Sequence, residues 1–192
     1  MKTIFFDIDS QLDFVYPAGA LYVPGAEHIV PNIARLNRYA AANGIPVIST
    51  VDAHTENDPE FKQWPHHCVA GTTGQHKAES TLLDRRVIVP NSPYEIAIDG
   101  VQQIIIEKQN VDVFTAPNLT KVIERLAADR FVVYGVVTEI CVLFAARGLL
   151  KFKKPVVIVT DAIESLSPAA SAQTLSDLTT AGATLTLTAD LC

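Results

Sequence analysis

The chain has 192 residues, 48% of them hydrophobic, and a formal net charge of −6, which suits one globular domain with a substantial core. An acidic balance without a basic stripe excludes a nucleic-acid-binding surface, and no apolar run approaches a membrane span. Cys68, Cys141 and Cys192 are too few and too widely spaced for a disulfide framework, and no signal-peptide pattern is evident, so a cytoplasmic protein is expected.

In chain order, residues 3–8 read as a first strand. Residues 27–43 follow as a helix with Ile29, Ile33, Leu36 and Tyr39 or Ala40 on one face and Gly44 as its stop. Pro31 lies inside that span and leaves the helix start open. Residues 46–51, 87–89 and 104–107 are apolar strand candidates. A helix is expected over 118–128, capped by Asn118. Strands 131–134 and 156–159 flank a helix over 138–150, and helix 167–181 and strand 184–188 complete the alternation. This pattern predicts an α/β fold, a Rossmann-like parallel sheet of about six strands with helices on both faces, in a single domain over 1–192. Two stretches break the rhythm, 53–84 and 90–100. The first is long and polar and holds His54, Trp64, His66, His67 and His76; loops of that length in compact domains are usually functional or disordered.

In an open parallel sheet the ligand site lies beyond the carboxyl ends of the strands. Asp9, Asp52, His54 and Lys108 all follow strands there, and Cys141 sits in the first turn of the helix after strand 131–134. A helix N-terminus and a nearby lysine favour the thiolate, and the N–H groups of the turn could hold an oxyanion. A buried, inert cysteine is the competing reading from placement alone.

Four motifs in order carry a family resemblance. Asp9-Ser10-Gln11-Leu12-Asp13-Phe14 resembles the Asp-x-Gln-x-Asp-Phe opening of the isochorismatase-like cysteine hydrolases. Lys108 through Phe114 keeps that family's spacing from lysine to phenylalanine. Gly135 through Val142 is similar to its Gly-x-x-Thr-x-x-Cys-Val nucleophile turn, and Asp161-Ala162 to its late Asp-Ala. The resemblance implies a triad in which Asp9 takes the thiol proton, Cys141 attacks an amide carbonyl and Lys108 steadies both charges. It also implies substrate contacts at Val137 and Thr138, with the backbone N–H groups of Thr138 and Cys141 as oxyanion hole and a cis peptide before the threonine.

A second constellation concerns a metal. Asp52 and His54 stand two apart at a strand end, so their side chains can point the same way. Trp64-Pro65-His66-His67-Cys68 resembles the Trp-Pro-x-His-Cys element of the nicotinamidases, which implies His67 as third ligand and Glu60 as a fourth. Two imidazoles with one or two carboxylates suit a divalent ion, zinc foremost, with manganese or iron as alternatives. In nicotinamidases such an ion binds the pyridine nitrogen while an aromatic pair, here Phe14 and Trp64, sandwiches the ring. Departures bear on the substrate: Ala53 replaces an aromatic residue, Val111-Asp112-Val113 replaces Tyr-Ser-Ala, and the lysine segment is the short form. A nicotinamidase-like amidase is therefore expected, acting on a small-molecule amide and homo-oligomeric by family habit. The alternative is an amidase for another amide, carbamoyl or ureido compound. A non-catalytic binding or redox protein would have been free to lose one of Asp9, Lys108 and Cys141. Isochorismate is the least expected substrate, since vinyl-ether hydrolysis needs no cysteine nucleophile.

Overall fold

Seven parallel strands form the centre of the computed structural model, which describes residues 1–95 and 97–192. They are β1 (Thr3–Ile8), β2 (Val47–Asp52), β3 (Arg86–Val89), β4 (Gln103–Lys108), β5 (Arg130–Val136), β6 (Val156–Glu164) and β7 (Thr184–Thr186), in the spatial order β3-β4-β2-β1-β5-β6-β7. The helices are α1 (Leu12–Val15), α2 (Val30–Ala42), α3 (Leu119–Leu126), α4 (Leu143–Leu150) and α5 (Pro168–Thr180). The expected α/β class is present, with seven strands where about six were expected. Each of the seven overlaps a strand segment read from the sequence; the one expected over 184–188 is shorter, an edge strand that ends at Thr186 with Leu185 46% exposed.

Connection handedness places the helices. The chain moves from β1 to β2 in one direction along the sheet and from β4 through β7 in the other, so right-handed crossovers put α2 on one face and α3, α4 and α5 on the opposite one. With both faces covered, β2 is buried at every position and β1 at all but its first.

Local boundaries follow from hydrogen bonding that composition does not display. Helix α2 begins at Val30 with Pro31 in its first turn, where a missing N–H costs nothing; residues 26–28 form a separate 3-10 turn instead of joining it. Ile33, Leu36 and Ala40 are buried on its inner face, and Gly44 ends it at φ +66°. The expected continuous helix over 138–150 is instead a π-helical turn, Thr138–Val142, followed by α4. The Val137 carbonyl accepts from both Ile140 N–H and Val142 N–H at 3.1 Å, which widens the turn; such π turns recur at functional sites. Asn118 is not a side-chain cap for α3. Its amide instead donates to the carbonyls of Pro90 and Ser92 and accepts from Tyr94 N–H, pinning the loop before β4. Strand β6 runs on to Glu164 because its backbone pairs again with β5 beyond an irregularity, Ile163 opposite Gly135 and Glu164 opposite Val136. At the other end of the chain, Thr188 leaves β7 and gives its N–H and hydroxyl to Asp161.

The long 53–84 segment is ordered by a buried polar network. Lys77 Nζ lies 3.1 Å from Asp7 Oδ2 and donates to Ser10 Oγ at 2.6 Å. The Asn37 amide donates to Asp7 and to the Thr81 carbonyl, and its oxygen accepts from Tyr134 Oη at 2.6 Å. Each buried polar atom in this set finds a partner, which is the condition for such a network to hold a loop rather than weaken a core. Among the described residues no helix is long and apolar enough to cross a membrane.

Gly135 closes the distance between β1 and β5. A Cβ built there would lie 2.0 Å from the Ile8 carbonyl oxygen, and φ is +121°. Gly135→Ala should therefore cost about 3 kcal/mol or more, because both backbone strain and a rigid neighbour oppose it. Gly44→Ala meets open space at φ +66° and should cost about 1 kcal/mol. Urea melts of the two variants check the contrast; equal losses would mean that β5 can move away from β1.

Candidate active site

The chain leaves β1 toward β2 and leaves β5 toward β6, in opposite directions from neighbouring strands. Beyond the carboxyl ends of such a pair an open α/β sheet forms its crevice. Asp9 follows β1 directly and Cys141 lies on the π turn after β5, so these two flank the crevice. The remaining groups arrive from β2 and β4, whose last residues, Asp52 and Lys108, are register partners.

Lys108 binds the arrangement together. Its ammonium is buried, 3.0 Å from Asp9 Oδ2, 2.5 Å from Asp52 Oδ1 and 3.7 Å from Cys141 Sγ. Burial works against the charge, but Asp52 and Asp9 outweigh it and hold the lysine well above its usual range. Asp9 adopts φ +48°, with its N–H against the Thr50 carbonyl and its Oδ1 accepting the Thr50 hydroxyl at 2.5 Å. A β2 side chain thus aims the Asp9 carboxylate. Asp9, Lys108 and Cys141, separated by up to 132 positions in sequence, meet at one point.

The thiol differs from the sequence expectation. Burial pushes Cys141 well above the ordinary cysteine range; Lys108 pulls it down, while Asp9 and Asp52 push with burial. A lone lysine beside a helix N-terminus would have favoured thiolate, but two carboxylates share that lysine. The group favoured at rest is therefore the thiol, hydrogen-bonded to Asp9. The peptide bond Val136–Val137 is cis.

A second cluster adjoins the first. Asp52, His54 and His67 are buried, and one ligand atom from each lies within 4.8 Å of the others. Both His54 ring nitrogens are buried without a hydrogen-bond partner, although Asp58 Oδ2 stands 3.1 Å from Nδ1. His67 Nδ1 pairs with the Pro65 carbonyl at 2.7 Å, leaving Nε2 toward the cluster, and burial lowers its pKa and favours the neutral ring a metal requires. Burial also pushes Asp52 up to about 6 against the pull of Lys108. Two carboxylates, Asp9 and Asp52, face one ammonium, so a divalent cation on the far side of Asp52 suits the charge as well as the donor set. Glu60 Oε1 is 3.9 Å from His67 Nε2, at the rim of the cluster.

A pocket of about 480 Å³ of empty space, mouth included, opens over both clusters. Asp9, Cys141, Asp52, Glu60 and His67 line it, as do Phe14, Trp64 and Val137. The Thr138 side chain does not face it: the hydroxyl donates to the Glu164 carbonyl at 2.9 Å, so a substrate contact at this position falls to the backbone. The rest of the wall is aliphatic, including Leu21, Val111, Ile140 and Leu166. Sequence reasoning missed several supporting residues. Gln11 donates to the Asp52 carbonyl and accepts from Asp52 N–H, fixing the shared carboxylate; its place in the Asp-x-Gln opening was the available signal. Phe61 packs on His54 and His67, with centroids at 5.3 and 5.6 Å, and Asp58 backs His54 from four residues on. Neither had a signal beyond lying in the long loop.

The isochorismatase domain family matches residues 3–190. The chain belongs to the isochorismatase family. Similar members are the nicotinamidase of Escherichia coli K12, 25% identical and covering 95% of this chain and 93% of that one, and an Arabidopsis thaliana protein described as a probable inactive nicotinamidase, 25% identical over 87% and 83%. The pyrazinamidase of Pyrococcus horikoshii, crystallised in complex with zinc, superposes with a TM-score of 0.83 at 25% identity, covering 97% and 99%. The expected family and fold are thereby established.

In this isochorismatase-family site the ammonium should be a structural requirement as well as a chemical one. Lys108→Met leaves Asp9 and Asp52 buried without their cation and should cost about 3–5 kcal/mol in metal-free protein. Cys141→Ala removes a single sulfur atom from a half-buried residue lining the pocket and should cost about 1 kcal/mol. Urea melts side by side decide this; a Lys108→Met variant as stable as Cys141→Ala would mean that the carboxylates do not depend on the lysine.

Proposed function

We propose that this chain hydrolyses nicotinamide to nicotinate and ammonia through a thioester on Cys141. Family membership and the named amidases among its relatives make it an amide hydrolase; the cysteine mechanism and the substrate are the further step. The observation that carries the mechanism is the single ammonium placed between Asp9, Asp52 and the Cys141 sulfur. One relative is described as inactive, so activity has to be argued from this chain's own triad, which is complete.

In the proposed reaction Asp9 accepts the Cys141 proton as sulfur attacks the amide carbon. The carbonyl electrons move to oxygen, where backbone N–H groups of the π turn receive them. The C–N bond then breaks, and the Asp9 proton leaves with the nitrogen as ammonia. Water adds to the thioester while Asp9 takes its proton, the C–S bond breaks, and the acid departs with Cys141 protonated again. Two covalent steps replace one difficult hydrolysis. Lys108 remains charged throughout and steadies whichever of Asp9 and sulfur bears the negative charge.

Asp52, His54, His67 and Glu60 would hold the divalent ion, zinc by the chemistry of the donors. When bound, it offers a Lewis-acidic anchor for a ring nitrogen. Phe14 and Trp64 would supply flat apolar surface to the ring. Apart from the ligands and triad, the lining residues carry no basic side chain, which favours a neutral ring amide over carbamoyl compounds bearing a carboxylate. The protein would act in the cytoplasm, as a homo-oligomer.

Two outcomes test this reading. Cys141→Ala should abolish ammonia release while the protein remains folded by circular dichroism; persisting activity would remove the nucleophile from the mechanism. Nicotinamide should be hydrolysed at least 100-fold better than benzamide, which has the amide and the shape but no ring nitrogen, since sites built around a polar partner reject the analogue lacking it. His54→Ala should lose the ion by elemental analysis and erase that preference. Equal rates on the two amides in wild type would shift the assignment to an amidase of another compound.

A further inference from the structure

Leu166 is unusual among the pocket residues. It lines the cavity yet is 42% exposed, so it forms the mouth rather than the floor. Its segment follows β6 and precedes α5, a place where a loop could swing freely. Here it is tied to the turn that carries the nucleophile. Glu139 Oε1 accepts from both Leu166 N–H and Ser167 N–H at 3.0 Å, and Glu139 lies two residues before Cys141 on the same π turn. The neighbouring Thr138 hydroxyl holds the Glu164 carbonyl at 2.9 Å. A carboxylate accepting two backbone N–H groups makes charge-assisted bonds, about twice as strong as neutral ones. The Ser167 hydroxyl then caps α5 through Ala170 N–H, so the segment is fixed at both ends.

We infer that Leu166 is a specificity-determining residue that limits what the substrate ring can carry toward the pocket mouth, and that Glu139 is the positioning residue holding it there. The backbone that carries this isobutyl wall is held to the nucleophile turn, so the wall keeps its place at the mouth as long as that turn does. Unsubstituted six-membered heteroaromatic amides are accepted, and homologues with an added alkyl group on the ring edge facing the mouth are rejected by contact. A single methyl or methylene is worth roughly 10- to 200-fold in a fitted apolar pocket. The inference takes its ring class from the proposed substrate, while the role of Leu166 rests on the wall geometry alone.

Trp64 is the only tryptophan in the sequence and lines the same pocket, so ligand binding can be read from its fluorescence without turnover. In the Cys141→Ala background, the weakest binder among 4-, 5- and 6-methylnicotinamide should bind about tenfold or more weakly than nicotinamide. Adding Leu166→Ala should bring the two within about threefold, chiefly by improving the methylated compound. Glu139→Ala should relax the ratio similarly, and Glu139→Gln, which keeps an acceptor oxygen, should restore it. In otherwise wild-type enzyme, Leu166→Ala should lower the KM of the methylated amide relative to that of nicotinamide by about tenfold. A selectivity ratio unmoved by Leu166→Ala, or Glu139→Gln behaving as Glu139→Ala, overturns the inference. If nicotinamide binds to no variant, the substrate assignment falls by itself. The same ratio, measured with the amide found by an ammonia-release screen and its ring-methylated homologue, then decides the role of Leu166.

Discussion

A single buried ammonium facing two carboxylates organises this molecule. Lys108 would be costly in the interior alone, and Asp9 and Asp52 would be costly without it; together they tie the ends of β1, β2 and β4 to the sulfur on the turn after β5. The shared cation also explains the state of the nucleophile. With two acids competing for one ammonium, burial dominates at Cys141 and holds its thiol well above the ordinary cysteine range. Asp52 belongs to both halves of the site, because its carboxylate pairs with Lys108 and stands among the imidazoles of His54 and His67. The imidazole cluster and the electrostatics around Cys141 are therefore coupled through one side chain.

That charge arrangement depends on backbone placement of unusual closeness. Gly135 lets β5 approach the Ile8 carbonyl one residue before Asp9, and the Thr50 hydroxyl aims the Asp9 carboxylate from β2. The π turn that follows presents Cys141 to the crevice while Glu139, on the same turn, holds the pocket mouth. Cys141, Asp9 and Leu166 are thus set by a few residues at one topological switch point. The metal-side residues arrive differently, on a long segment without helices of its own beyond short turns. The buried Lys77–Asp7 pair and the Asn37 amide hold that segment against β1 and α2, so His54 and His67 sit on a loop tied into the buried polar core.

Much of this was legible in the residues. Alternating apolar runs specified a parallel α/β sheet, because strands buried on both faces must be apolar throughout and their crossovers must be amphipathic. Polar residues directly after those runs marked the carboxyl-end rim, which brought Asp9, Asp52, His54 and Lys108 forward before any coordinates. Placement in the turn after strand 131–134 did the same for Cys141, and the motifs then added His67 and Glu60. What failed in the strand and helix boundaries failed where hydrogen bonds, rather than apolarity, decide the ends: at the π turn after Val137, in the second half of β6, and at Asn118, whose amide serves a loop instead of α3.

The sequence by itself determined which residue types stand at the strand ends, since periodicity and motif order are local properties of the chain. Only the tertiary structure decided how those charges share one another. The lowered thiol pKa expected for Cys141 came from counting a helix turn and a lysine, whereas the folded site adds Asp9 and Asp52 from strands far away in sequence. Thr138 was expected to serve the substrate through its backbone N–H, and only the folded chain commits its hydroxyl to the Glu164 carbonyl. Leu166, with no motif to announce it, lines the pocket because Glu139 reaches across to its N–H. Electrostatic energies depend on distances of a few ångströms between groups that sequence separates by tens of residues, and those distances exist only once the sheet has closed.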